Sequence, residues 1–120
     1  MPRQLTRQAA EQQGRRAETI AAWWLRLRGW RILAQRVRVA GGEVDLIARR
    51  GKVVAFVEVK QRGTEEAAAW ALDEYRLRRV AVAAQRLAPR YTREGDDIRI
   101  DALFLVPGRL PRHLPNVWHG

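Results

Sequence analysis

Apolar and polar side chains alternate twice between Gly42 and Lys60, in the stretch GEVDLIARRGKVVAFVEVK. In the first run Glu43, Asp45 and Ile47 alternate with Val44, Leu46 and Ala48; in the second Val54, Phe56, Glu58 and Lys60 alternate with Val53, Ala55, Val57 and Val59. A period of two is that of a strand, so both runs are predicted strands. The Arg50-Gly51-Lys52-Val53 stretch between them suits a two-residue hairpin loop with Gly at its first central position. Pairing Arg50 with Val53 carries Asp45 opposite Glu58 on one face, with Lys60 two residues further along it. A four-residue loop would shift the partners and keep the face.

The flanking patterns have a helical period. Ala10, Gly14, Ala17, Ala21, Trp24 and Arg28, widened by Ile20 and Leu25, form a stripe that predicts a helix from about Arg3 to Arg28, with Gly29 to end it. Glu18 lies at the edge of that stripe with Gly14, Ala22 and Leu25, so its carboxylate approaches whatever the helix packs on. Trp30 to Val39 reads as a strand, its later half alternating Arg36 and Arg38 with Val37 and Val39, and Ala40-Gly41-Gly42 turns it into the hairpin. Beyond Gln61-Arg62-Gly63-Thr64, Ala69, Leu72, Arg76, Val80, Ala83 and Leu87 predict a helix over Glu65 to Ala88, breakable at Asp73 and ended by Pro89. Arg76 interrupts its apolar face and needs anions, or a path out to solvent.

Ile98 to Val106 is almost continuously apolar, as a strand covered on both faces is. A helix between two strands of one sheet implies a right-handed crossover, so this strand is expected parallel to Val53 to Lys60. Asp101 on it is read as structural, paired with a basic neighbour. The tail holds His113 and His119 among prolines, too irregular for a zinc site, and Trp118 is expected to pack on the body. The expected fold is α/β: helix, three antiparallel strands, helix and strand, with a mixed sheet. Its 120 residues suit one domain, residues 1–120.

Composition narrows the chemistry. The absence of cysteine excludes thiolate zinc sites, disulfides and a cysteine nucleophile, and the absence of serine excludes a serine triad. Neither a signal-peptide core nor a bilayer-length apolar run is present, so a soluble, cytoplasmic chain without a membrane partner is expected. The net charge of +10 and a pI near 11.5 suit a polyanion, nucleic acid above all. Neither feature bears on self-association, and a homodimer is compatible with both.

Asp45 facing Glu58 across a sheet is repulsive and calls for a cation. Two readings stay open: a Mg²⁺ or Mn²⁺ ion held by hard oxygen ligands, or Lys60 acting as a structural counter-charge. Of the 23 Lys and Arg residues only Lys52 and Lys60 are lysine. Lys60 therefore suggests a role for which a guanidinium is poorly suited, such as a compact ammonium touching one phosphate oxygen or a water. Arg36 and Arg38 suit phosphate contacts, or else protection of an edge strand. Trp70, flanked by alanines beyond the Gln61–Thr64 loop, is a candidate for protein docking and equally for the core.

Asp45 followed by Glu58-Val59-Lys60 resembles the PD-(D/E)xK nuclease signature. With Gly14, Glu18, Gly42 to Ala48, Phe56, Val57, Arg62, Arg99-Ile100-Asp101 and His113, nearly the whole chain resembles the YraN family of small bacterial proteins. That family is similar in fold to restriction endonucleases and archaeal Holliday-junction resolvases. The resemblance implies a restriction-endonuclease-like core in which Glu18, Asp45, Glu58 and the carbonyl of Val59 hold Mg²⁺ or Mn²⁺. Lys60 serves the attacking water in that scheme, and Arg36, Arg38, Arg62 and Arg76 contact nucleic acid. The implied activity is metal-dependent hydrolysis of phosphodiesters in structured or branched nucleic acid; the alternative is a non-catalytic nucleic-acid-binding module of the same fold. Two positions depart from the family pattern: Arg76 stands where a lysine is usual, and Arg36 where asparagine is frequent.

Overall fold

The computed structural model describes residues 7–120, and the expected helix start at Arg3 and the side chain of Ala10 lie outside the described residues. The elements are α1 (Arg7–Leu27), β1 (Arg31–Val39), β2 (Gly42–Arg50), β3 (Val53–Gln61), α2 (Glu65–Ala71), α3 (Glu74–Tyr91), β4 (Asp97–Leu105) and β5 (Arg112–Leu114). They form one sheet in the order β1-β2-β3-β4-β5. The first three strands are an antiparallel meander, β4 runs parallel to β3 as the crossover rule requires, and β5 pairs antiparallel to β4. This mixed α/β architecture is consistent with a restriction-endonuclease-like core. Among the described residues no helix is long and apolar enough to cross a membrane.

The sheet is covered on both faces. Ala17, Ala21, Ala22 and Leu25 of α1 pack on Leu46, Ala48, Ala55, Val57 and Leu103. Val80, Ala83, Ala84 and Leu87 of α3 pack on Val44, Ile47, Val54, Phe56 and Ile100, and Ala68 of α2 packs on Ala102 and Phe104. The buried arc of α1 is rotated from the expected stripe toward Glu18 and Ala22. Ile20 is therefore left half exposed on the flank, and Arg28 lies exposed beyond the last helical residue.

The predicted long helix is two. Thr64 caps α2 by accepting from the Ala67 N–H, and Asp73 caps α3 by accepting from the Arg76 N–H at 2.8 Å. The break resets the helical phase, so Ala68 rather than Ala69 is buried. Pro89 does not end α3, which continues to Tyr91. The proline removes one bond, to the carbonyl of Gln85, and that residue is exposed to solvent; Thr92 then caps the Ala88 carbonyl with both its N–H and its hydroxyl. β5, three residues long, was not expected from a tail without alternation.

At the hairpin Gly51 has φ 61°, and the ladder runs from Arg50↔Val53 to Leu46↔Val57 in the expected register. It stops one pair short of Asp45 and Glu58. Strict alternation put Asp45 and Ile47 on one face and Val44 on the other; instead Val44 and Ile47 both pack on α3 while Leu46 and Ala48 pack on α1. The alternation slips once, at Asp45. On the neighbouring strand the pairing passes from Gln35↔Leu46 to Val37↔Val44, and Arg36 between them has φ 52°. The physical cause of the slip is visible in the next contact: the Asp45 carboxylate takes the backbone N–H of Val59 at 2.7 Å in place of a ladder partner.

β2 lies against α3 with no room for a side chain at Gly42. A methyl there would sit 2.4 Å from the Arg79 carbonyl oxygen and 2.8 Å from the Ala83 nitrogen, both rigid helix backbone. Gly42→Ala is expected to cost about 2 to 4 kcal/mol and to lower Tm by roughly 6 to 20 °C. A melt within about 2 °C of the parent would show that the strand and the helix are not in this contact.

Candidate active site

One cleft of about 390 Å³ gathers the residues that the sequence singled out. Its lining includes Glu18 from α1, Arg36 and Arg38 from β1, Asp45 from β2, Glu58, Val59 and Lys60 from β3, Arg62 just beyond it and Arg76 from α3. All nine expected site residues thus border the same space. Glu43, Gln13 and Gln61 border it as well and were not singled out. Glu43 shares the Gly-Glu-Val-Asp run with Asp45, and Gln61 continues β3 past Lys60, so continuity along the strands was the signal for both.

Each acidic group has a defined neighbour. Asp45 Oδ2 accepts from Val59 N–H, and Lys60 Nζ lies 3.1 Å from Glu58 Oε1, with Glu58 and Lys60 both buried. Glu18, also buried, meets Arg36 Nε at 3.5 Å. Glu43 draws three arginines: Arg38 and Arg76 at 3.5 Å and Arg79 at 3.9 Å. The anion expected for Arg76 is therefore Glu43, met at the exposed end of the helix face. Arg62 is exposed and donates to the Gln61 carbonyl at 2.7 Å. The cleft holds four carboxylates (Glu18, Glu43, Asp45 and Glu58) against five cations (Arg36, Arg38, Lys60, Arg62 and Arg76).

Burial pushes the Glu18 carboxyl up to about 7, helped by the Asp45 charge and opposed by Arg36. It pushes Glu58 up to about 7 as well, again with Asp45 adding to the effect and Lys60 opposing it. Asp45 is also raised by burial, although the Val59 N–H, a hydrogen bond donated by Glu58 and the Lys60 charge all favour its ionised form. The lysine thus relieves only part of the repulsion. Two carboxyls raised by burial remain in a chain with a surplus of arginine.

The donor set suits a hard divalent cation in type. It offers carboxylate oxygens from Asp45, Glu58 and Glu18, and the Val59 carbonyl, which shares a strand edge with the N–H that Asp45 takes and faces the gap where β2 pairing has ended. Among the described residues no three His, Cys, Asp or Glu side chains stand as a finished metal shell, and Glu18 and Glu58 are met by Arg36 and Lys60.

The tail braces β4 behind this cleft. Asp101, fully buried, accepts from Arg99 at 2.8 and 3.2 Å, from the Asn116 N–H at 2.9 Å and from His113 Nε2 at 2.7 Å. The basic neighbours expected for Asp101 are Arg99 and His113. Trp70 is exposed rather than core, while Trp118 packs against the α3 side.

The five-stranded mixed sheet with helices on both faces defines the class as a mixed α/β chain, consistent with a restriction-endonuclease-like core. The chain belongs to the uncharacterised protein family UPF0102, whose model matches residues 17–105. It is 64% identical over 114 residues to a UPF0102 protein of Sphingopyxis alaskensis, covering 95% of this chain and 98% of that one. Relatives of the same description from Rhizorhabdus wittichii (61%, with 95% and 97% covered) and Erythrobacter litoralis (55%, with 95% and 98% covered) are each similar over 114 residues.

Glu18 and Glu58 titrate higher folded than unfolded, from an ordinary 4.5 to about 7. The stability they contribute is complete below about pH 4.5 and is lost as pH rises through about 7. Glu58→Gln keeps a neutral partner for Asp45, so with chelator present its stability relative to the parent is expected to rise between those pH values. Urea melts of both proteins across that window measure it, and a difference independent of pH would mean that Glu58 does not ionise against Asp45.

Proposed function

We propose that this chain hydrolyses phosphodiester bonds of structured or branched nucleic acid in the cleft around Asp45, Glu58 and Lys60. The observation that carries the reading is the burial of Glu18 and Glu58, each repelled by the half-buried Asp45, beside a buried lysine at the centre of an arginine-rimmed cleft. Such a cluster is costly unless something relieves it. Mg²⁺ or Mn²⁺ held by Asp45, Glu58 and the Val59 carbonyl, with Glu18 supporting, would supply Lewis acidity toward the phosphoryl oxygen and toward a water. Lys60, as an ammonium, orients the attacking water, whose proton leaves to solvent through the open cleft. Water adds to phosphorus, the bond to one sugar oxygen breaks, and a phosphate monoester and a free hydroxyl result. Arg36, Arg38, Arg62 and Arg76 hold flanking phosphates, a readout of backbone rather than of base sequence.

A second reading has its own observation. Lys60 lies 3.1 Å from Glu58 and Arg36 lies 3.5 Å from Glu18, so the chain neutralises part of the cluster itself. On that reading the protein binds nucleic acid without cleaving it. Thermal melts separate the two at fixed ionic strength. If a cation relieves the cluster, Mn²⁺ at ten times its Kd stabilises the parent by about 1.4 kcal/mol, a Tm rise of roughly 3 to 6 °C, and Asp45→Asn removes most of the rise. An unshifted parent together with a destabilised Asp45→Asn would end the metal reading.

Lys60→Arg keeps the charge and changes its shape. It is expected to abolish most cleavage of a four-way junction or a duplex while leaving affinity within a few-fold of the parent. Undiminished cleavage would remove Lys60 from the chemistry.

A further inference from the structure

A second cleft, of about 320 Å³, lies at the far end of α1, where the helix end, the hairpin tip and the tail meet. Trp24, Arg28, Trp30, Arg50, Arg112 and His113 line it. Its cations are not alike. Arg112 is paired with Glu65, and His113 is held by Asp101 with its ring edge-on to Trp30 at 5.8 Å. Arg28 and Arg50 have no carboxylate partner among the described residues. Each is instead stacked on an indole: Arg28 lies 4.4 Å from the ring centroid of Trp24, and Arg50 lies 4.6 Å from that of Trp30. Arg50 Nη1 also donates to the Arg28 carbonyl at 3.3 Å, which links the two.

Stacking covers one face of a guanidinium and leaves its donor edge free, in a geometry already chosen before any anion arrives. Both side chains are exposed, so that edge meets solvent apart from the one Arg50 donor that the Arg28 carbonyl takes. In a protein that pairs Arg36, Arg38, Arg49, Arg76 and Arg99 with carboxylates, two stacked and unpaired arginines beside one cavity are set apart. Two rulers place this cavity relative to the first cleft. Five strand residues separate Asp45 from Arg50, about 16 Å, and nine residues along α1 separate Glu18 from Leu27, next to Arg28, about 14 Å. Edge strand β1 joins the two, from exposed Arg31, next to Trp30, at one end to Arg36 and Arg38 at the other.

The geometry points to a second phosphate-binding site, formed by Arg28 on Trp24 and Arg50 on Trp30, that grips the nucleic-acid backbone about five base steps from the first cleft. It rests on the reading of this chain as a nucleic-acid binder and deepens it: the ligand is a polymer laid along β1, not a short oligonucleotide. The phosphate is either internal to the strand or terminal.

The test is salt-dependent binding of the full chain to DNA and RNA duplexes of roughly 25 base pairs, long enough to span both clefts. Arg28→Gln/Arg50→Gln is expected to weaken binding at least tenfold near physiological salt and to reduce the slope of log affinity against log salt by about 2. Arg86→Gln/Arg90→Gln, exposed on α3 across the sheet, makes the same change in net charge and is expected to alter binding less than threefold. Arg28→Lys/Arg50→Lys retains the charge but not the stacked planar edge; it should keep the slope and still bind several-fold more weakly, which guards against misfolding of the glutamine variant. Removing the 5′ phosphates leaves these differences intact if the phosphate is internal and erases them if it is terminal. Equal losses from the α3 control pair, or lysine variants that bind like the parent, would overturn the second site alone. A parent that binds neither duplex, nor a four-way junction with arms of the same length, would overturn the nucleic-acid reading itself.

Discussion

The hydrogen bond from Val59 N–H to Asp45 Oδ2 is the contact on which the rest of the cleft depends. It stands at the point where β2 and β3 stop pairing, and it substitutes a side-chain acceptor for a backbone one. A buried N–H must be satisfied, so the carboxylate both ends the ladder and keeps the separation from being costly. The gap so opened gives Glu58 and Lys60 space beside Asp45 and turns the Val59 carbonyl toward it. Arg36, in a left-handed conformation on the β1 strand beside Asp45, reaches Glu18.

Two buried carboxylates show what this arrangement does to titration. Asp101 and Glu58 are both shielded from water, and burial raises each. Asp101 nevertheless ends below its ordinary value because His113, Arg99 and the Asn116 N–H donate to it. Glu58 ends near 7, since its one cation is set against a neighbouring Asp45. The difference lies in the count of donors, not in depth. Asp101 is thus a structural anchor that fastens the tail to β4, whereas the Asp45 and Glu58 pair is held in tension beside an open cleft.

The arginine surplus is distributed with the same economy. Arg49 clamps Asp96 in a bidentate pair at 2.7 and 3.1 Å and braces the β2 end against the turn before β4. Arg38, Arg76 and Arg79 converge on Glu43 and tie β1 and α3 to the rim of the cleft. Part of the charge that composition assigned to a polyanion therefore serves as internal mortar. Among the described arginines without a carboxylate partner, Arg62 borders the first cleft and Arg28 and Arg50 the second, where they remain for an outside partner.

Local pattern was enough for much of the architecture. Period-two alternation, a Gly-first turn and a capped amphipathic helix are properties of neighbouring residues, so the hairpin register, the meander and the parallel placement of β4 were legible in the sequence. The crowding of Asp45, Glu58 and Lys60 followed from the same register, and Glu18 joined them through family resemblance. What depended on distant partners was not legible. The slip at Asp45 needs the Val59 N–H, and the burial of Ala68 needs the helix break set by Asp73. The exposure of Ile20 needs the angle at which α1 meets the sheet, and β5 needs an edge of β4 to pair with. The pairing of Arg28 and Arg50 with two tryptophans lies in the same class, because Trp24, Trp30 and Arg50 come together only when helix end and hairpin tip are packed side by side. Sequence decided which groups would be near the centre through local periodicity; tertiary structure decided their partners, because charge and hydrogen bonding act through space rather than along the chain.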